Sequence, residues 1–125
     1  MGRLWRWGPV LGCMAAIFYE SSQTYVPADL PVGLSNHTGH FLAYAVLAAV
    51  TVRALAGLRW TGVTVGTAAA ALLVASLYGV TDEFHQQFVR NRLSGVDDWI
   101  ADTAGALTAM VVALAIARWR RGRNV

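Results

Sequence analysis

From Trp60 to Tyr78 the chain carries no charged residue, and a helix over Thr67–Leu77 would have no charge on any face. A soluble four-helix bundle needs a polar stripe on each helix, recurring every 3.6 residues. This stretch supplies none. A helix that crosses a bilayer takes about 20 mostly apolar residues, and the sequence predicts four such spans, over approximately 4–20, 39–57, 60–80 and 98–117. Backbone polar groups in lipid must be satisfied within the segment, so each span is expected to be helical. The expected fold is all-α: a polytopic membrane protein, one domain over residues 1–125, with four transmembrane helices in a compact bundle. Only 14% of residues are charged, against about 25% in soluble domains.

The charges that remain lie at span ends. All ten basic residues are arginine, and they form no single stripe, so a nucleic-acid partner is not expected. Arg3, Arg6, Arg53, Arg59, Arg118, Arg120, Arg121 and Arg123 fall on one side of the four-span scheme. Arg90 and Arg92 fall on the other, with Asp29, Asp82, Glu83, Asp97 and Asp98. By the positive-inside rule both termini are cytoplasmic and the polar loops lie on the outer face of the inner membrane. The linkers fit this scheme: Pro27 and Pro31 bracket one outer loop, and 90–95 forms the other.

Cys13 is the single cysteine, which excludes an intramolecular disulfide and a multi-thiolate metal site. Val10–Cys13 loosely resembles a lipoprotein cleavage site. The apolar run before it is interrupted by Gly8 and Pro9, so the first helix is expected to be retained. Trp5, Trp7, Trp60, Trp99 and Trp119 sit at span ends as interfacial anchors. Gly62–Gly66–Ala70 and Gly105–Ala109 have the four-residue spacing of small residues that lets membrane helices approach closely.

Lipid does not account for the ionisable groups gathered at the outer helix ends, since such groups are costly there and are retained in pairs or for function. At the start of the second span His37, His40 and Tyr44 share a helical face. Near the end of the third, Asp82, His85 and Gln86 do the same, with Glu83 adjacent. Asp98 and Asp102 lie one turn apart in the fourth, and Glu20 ends the first at the same depth. Two chemistries fit. In a binding pocket, Arg92 would offer a planar fork to phosphate or carboxylate while the acids and histidines meet amines or hydroxyls. In a catalytic site, His40 or His85 would act as general acid or base, with Asp82, Glu83, Asp98 or Asp102 orienting the ring or holding a metal. Capping of the fourth helix by its acids is the plainer alternative for single residues. No zinc-ligand spacing and no cofactor motif is present, so cofactor and metal stay open.

Asp82-Glu83-Phe84-His85-Gln86-Gln87-Phe88-Val89, then Arg92, Ser94 and Asp98-Trp99-Ile100-Ala101-Asp102-Thr103-Ala104-Gly105, resembles the signature of the VanZ-like family of small bacterial membrane proteins. His40-Phe41-Leu42-Ala43-Tyr44-Ala45-Val46-Leu47 resembles its second motif, and Ser21-Ser22-Gln23 the serine-rich end of its first helix. There are departures: His37 stands where the family often has lysine, Asp102 where asparagine is frequent, and Arg90-Asn91 replaces a Pro-Gly turn. The family's namesake is linked to low-level resistance to teicoplanin. The resemblance therefore implies a bacterial inner-membrane protein whose partners are membrane lipids and an envelope or lipoglycopeptide ligand. Binding residues on this reading are Glu20, His40, Tyr44, Asp82, Glu83, His85, Gln86, Arg92, Asp98 and Asp102. An enzyme acting on an envelope lipid and a structural subunit of a membrane complex are the alternatives.

Overall fold

The computed structural model describes residues 2–23, 36–90 and 95–125, and these form four helices and one single-turn 3-10 segment. The helices are α1 (Gly2–Ser21), α2 (Asn36–Leu55), α3 (Val65–Gln86) and α4 (Val96–Arg123), with the 3-10 turn at Trp60–Gly62. The stretches holding Arg92, Ser94 and Pro27 through Pro31 lie outside the described residues.

Three helices are long and apolar enough to cross a membrane: His37–Leu55 within α2, α3 and α4. Helix α1 is of similar length but less apolar. Arg3, Arg6 and Glu20 shorten its hydrophobic run from both ends, and Gly8 and Pro9 interrupt it. It packs against α2 and α3, burying only Val10, Ile17 and Ser21.

The third span differs from its sequence-based limits, and the cause lies in local capping. Thr64 stops the chain from running helically out of Trp60. Its hydroxyl accepts a bond from the Thr67 amide at 3.2 Å, and the Thr67 hydroxyl accepts one from the Thr64 amide at 2.9 Å. This reciprocal pair satisfies two otherwise orphaned donors, so α3 begins at Val65 and continues to Gln86. The end of α2 is closed by the complementary device. The Leu58 amide bonds to the Arg53 carbonyl and the Gly57 amide to the Ala54 carbonyl. Gly57 takes the left-handed conformation, φ 66°, that this motif requires. Helix α4 runs past residue 117 through its arginine cluster, because arginine is a good helix former and a cation suits the negative end of the helix dipole.

What α3 and α4 bury is mostly small or polar, and what they expose is large and apolar. The buried stripe of α3 is Ala68, Ala71, Ala75, Gly79, Asp82 and Gln86; that of α4 is Asp98, Asp102, Gly105, Ala106, Met110, Ala113 and Ala117. Leu73, Leu77, Val80, Phe84, Leu107, Val111 and Val112 face outward. Small residues bring the backbones together, as membrane helix pairs require in the absence of a hydrophobic drive. Helices α2 and α4 make the most extensive contact. They cross where Gly105 lies so close to the Phe41 carbonyl that a side chain there would overlap it.

The chain runs up and down, so the C-terminal ends of α1 and α3 meet the N-terminal ends of α2 and α4. At the opposite end the arginines tie neighbours through backbone carbonyls. Arg6 donates to Ala54, and Arg121 to Thr61 and Val63 at 2.9 and 3.0 Å.

Candidate functional site

Seven polar side chains from all four helices are buried at the end opposite the arginines: Ser21, His40, Tyr44, Asp82, Gln86, Asp98 and Asp102. Helical periodicity explains their convergence. His40 and Tyr44 are one turn apart on α2, Asp82 and Gln86 on α3, Asp98 and Asp102 on α4, and each pair continues the buried stripe of its own helix.

Two hydrogen-bonded groups make up the cluster. Asp82 accepts from the Ser21 hydroxyl and, at 3.0 Å, from the Tyr44 hydroxyl. Gln86 in turn donates to the Ser21 oxygen at 3.1 Å. One carboxylate thus fastens α3 to both α1 and α2. In the second group the Nδ1–H of His40 donates to Asp102 Oδ1 at 2.7 Å, joining α2 to α4. Gly79 permits this placement, since a Cβ there would stand 3.0 Å from Asp102 Oδ2. Below it, the Trp99 indole donates to the Ser76 carbonyl at 3.1 Å, and Ser76 and Thr103 pair at 3.0 Å, aligning α3 with α4.

The rim of the cluster is more open. His37 Nε2 lies 3.3 Å from Asp98 Oδ1, with the imidazole largely exposed and the carboxylate buried. The Gly95 amide donates to Glu83 Oε2 at 2.9 Å, linking the end of α3 to the start of α4. Beside Glu83 a surface groove of about 370 Å³ is lined by Val80, Phe84, Gln87, Gly95, Val96 and Trp99.

Several buried polar atoms have no hydrogen-bond partner among the described residues: His40 Nε2, Glu83 Oε1, Gln86 Oε1, Asp102 Oδ2 and His85 Nδ1. Such groups are costly unless something binds them. Two sets of ligand atoms lie within 4.8 Å of one another, His40 with Glu83 and Asp98, and His40 with Asp82 and Asp102.

The sequence-based candidates divide. His40, Tyr44, Asp82, Gln86, Asp98 and Asp102 share the buried cluster, with Glu83 at its rim. His85 faces elsewhere: its ring stacks on Phe18 of α1, centroids 4.4 Å apart and planes 10° from parallel. Glu20 is exposed on the last turn of α1. Arg92 lies outside the described residues. Ser21 was not among the candidates, yet it is buried between Asp82 and Gln86. Its signals in the sequence were its place next to Glu20 at the end of an apolar run and the likeness of Ser21-Ser22-Gln23 to the serine-rich end of the family's first helix.

A family model described as VanZ/LLP1 matches residues 10–118, a segment that holds the whole cluster. No curated protein and no solved structure matched the chain.

Proposed function

The chain belongs to the VanZ/LLP1 family, and from that premise we propose that it is a four-span inner-membrane protein binding an envelope-associated ligand at its outer end. The ligand we assign is a lipid head group or lipid-linked molecule bearing an amine and an anionic group. The observation that carries this reading is the convergence of four carboxylates, Asp82, Glu83, Asp98 and Asp102, at the end of the bundle that also bears Arg90. Carboxylates and imidazoles suit the amine, while Arg90 and Arg92 suit the phosphate. A teicoplanin-type lipoglycopeptide, which combines an acyl chain with ionisable groups, falls in the same ligand class.

Native mass spectrometry of the detergent-purified chain tests the reading, with phosphatidylethanolamine and phosphatidylglycerol as probes. Wild type is expected to retain the amine-bearing lipid preferentially, with its occupancy falling at least tenfold in Glu83→Ala and in Arg92→Ala. Equal retention of both lipids by all three proteins overturns it.

The His40–Asp102 pair supports a second reading, a membrane-embedded enzyme with His40 as general acid or base oriented by its carboxylate. Turnover of an envelope lipid that is lost in His40→Ala would establish it. Absence of product across pH and added metals would remove it.

A further inference from the structure

We propose that His40, Glu83 and Asp98 form a site for one divalent transition-metal ion, with Asp102 as the outer carboxylate that orients the His40 ring. The inference shares its residues with the head-group reading but does not depend on that ligand.

Three helices supply the donors. One ligand atom each from His40 on α2, Glu83 on α3 and Asp98 on α4 lies within 4.8 Å of the other two. Donors bound tetrahedrally to zinc at about 2.1 Å are about 3.4 Å apart, so small side-chain rotations close the shell.

The state of two of the donors, His40 and Glu83, points the same way. His40 is 8% exposed, and its Nδ1–H is committed to Asp102 at 2.7 Å. In the neutral tautomer that donates from Nδ1, Nε2 carries the lone pair, and among the described residues it is buried without a hydrogen-bond partner. A metal-bound histidine commonly has this arrangement, one nitrogen on the ion and the other donating to a carboxylate. Glu83 is similarly poised. Gly95 holds Oε2 at 2.9 Å, and among the described residues the buried Oε1 has no partner.

Charge supplies the third argument. Among the described residues no arginine meets Asp82, Glu83 or Asp102, and the chain has no lysine. Several carboxylates gathered in apolar surroundings call for a cation or protons to offset them.

The other triple, His40 with Asp82 and Asp102, fits less well. Both oxygens of Asp82 already accept hydrogen bonds, from Ser21 and Tyr44, and Asp102 holds His40 Nδ1. A metal there would displace those bonds. One imidazole and two carboxylates, with no thiolate, suit zinc or manganese. Three protein donors leave an open coordination position, the pattern of a site that also takes water or a ligand oxygen.

The test uses the full chain in detergent, stripped with chelator and titrated with zinc chloride by calorimetry, with bound metal counted by elemental analysis. One zinc per chain is expected, and cobalt in its place should give the intense visible bands of a four-coordinate ion. Glu83→Gln and Asp98→Asn should each weaken binding more than about 100-fold, and Asp102→Asn about 10–100-fold, as loss of an orienting carboxylate does. Asp97→Asn, an exposed neighbour, should bind as wild type does. Circular dichroism checks that each variant folds; should one fail, the cobalt spectrum of the wild type decides. Sub-stoichiometric uptake, a weak six-coordinate cobalt spectrum, or zinc binding untouched by Glu83→Gln and Asp98→Asn overturns the site. So does binding abolished by His37→Ala alone, which would mark surface capture. None of these outcomes decides lipid retention, which has its own assay, so the two readings fail separately.

Discussion

Asp82 is buried between three helices with no cation against it among the described residues, so its neighbours have to hold it by hydrogen bonds. Ser21 does so at Oδ1 and Tyr44 at Oδ2. Removing one of these donors while keeping the shape leaves a buried acceptor short of a partner, which costs about 1–3 kcal/mol. Tyr44→Phe is therefore expected to lower stability by that amount against denaturation in mixed detergent, and Ser21→Ala similarly. Asp82→Asn, which preserves the shape and lowers the charge, should cost less than Asp82→Ala. An Asp82→Ala variant as stable as Asp82→Asn would show that the carboxylate does not tie the helices together. At Gly105 the contact is with backbone that cannot swing aside. Overpacking of this kind costs about 1–3 kcal/mol, so Gly105→Ala should reach at least the top of that range in the same assay.

These residues also mark how far the site could be read from the sequence. Pairs spaced by four, His40 with Tyr44, Asp82 with Gln86 and Asp98 with Asp102, were legible because that spacing returns nearly to the same side of a helix. His85 was not. Successive residues turn by about 100°, which puts His85 on one side of Asp82 and Gln86 on the other. A sequence cannot tell which side meets a neighbour. Here Gln86 turns inward and His85 meets Phe18. Ser21 was marked only by the family's serine-rich helix end, and its role was hidden for a different reason: a serine at a helix end reads as a cap or a turn until the carboxylate it serves is known.

At the scale of elements, apolar run length located α1 and α2 to within about three residues, while α4 extends six residues past the expected end at 117, through arginines that hydropathy counts as a stop. The start of α3 was misplaced at Trp60 because hydropathy does not register a capping box. Thr64 and Thr67 are apolar enough to pass as span residues, yet their reciprocal bonds fix the first turn at Val65. Thr64→Ala is expected to cost about 1 kcal/mol. The cap lies at the arginine end, away from the carboxylates, so zinc uptake should be unchanged in this variant. A loss of zinc binding there would mean that the two ends of the bundle are coupled through α3. The end of the second span at Gly57 was legible, but the left-handed conformation that closes α2 there is a matter of backbone and not of hydropathy.

For the whole molecule, the distribution of side chains and of charge gives one orientation argument. Large apolar residues cover the outside of α3 and α4 while alanine, glycine and carboxylates fill the inside, which suits a lipid surround. Eight arginines lie at one end and the carboxylate cluster at the other. With the arginine end in the cytoplasm, as the positive-inside rule would have it and as the proposed function supposes, the number of crossings depends on α1. Its Arg3 and Arg6 lie at the arginine end, where Arg6 reaches the Ala54 carbonyl, and its Ser21 reaches the cluster. A helix of 20 residues rises about 30 Å, enough to cross the hydrocarbon core. Single cysteines at Ser94 and at Gly122, in a Cys13→Ser background, test the arrangement in whole cells. A side chain at Gly122 meets nothing within 4 Å, so the probe there leaves packing intact. A membrane-impermeant thiol reagent is expected to label position 94 and to reach position 122 only after the cells are opened. A third cysteine at Arg3 should behave as position 122 does if α1 crosses the membrane. Labelling of position 3 in intact cells would instead leave three crossings. Labelling of 122 without 94 would turn the carboxylate cluster to the cytoplasm and remove the envelope ligand, while leaving the metal site to be judged by zinc uptake alone.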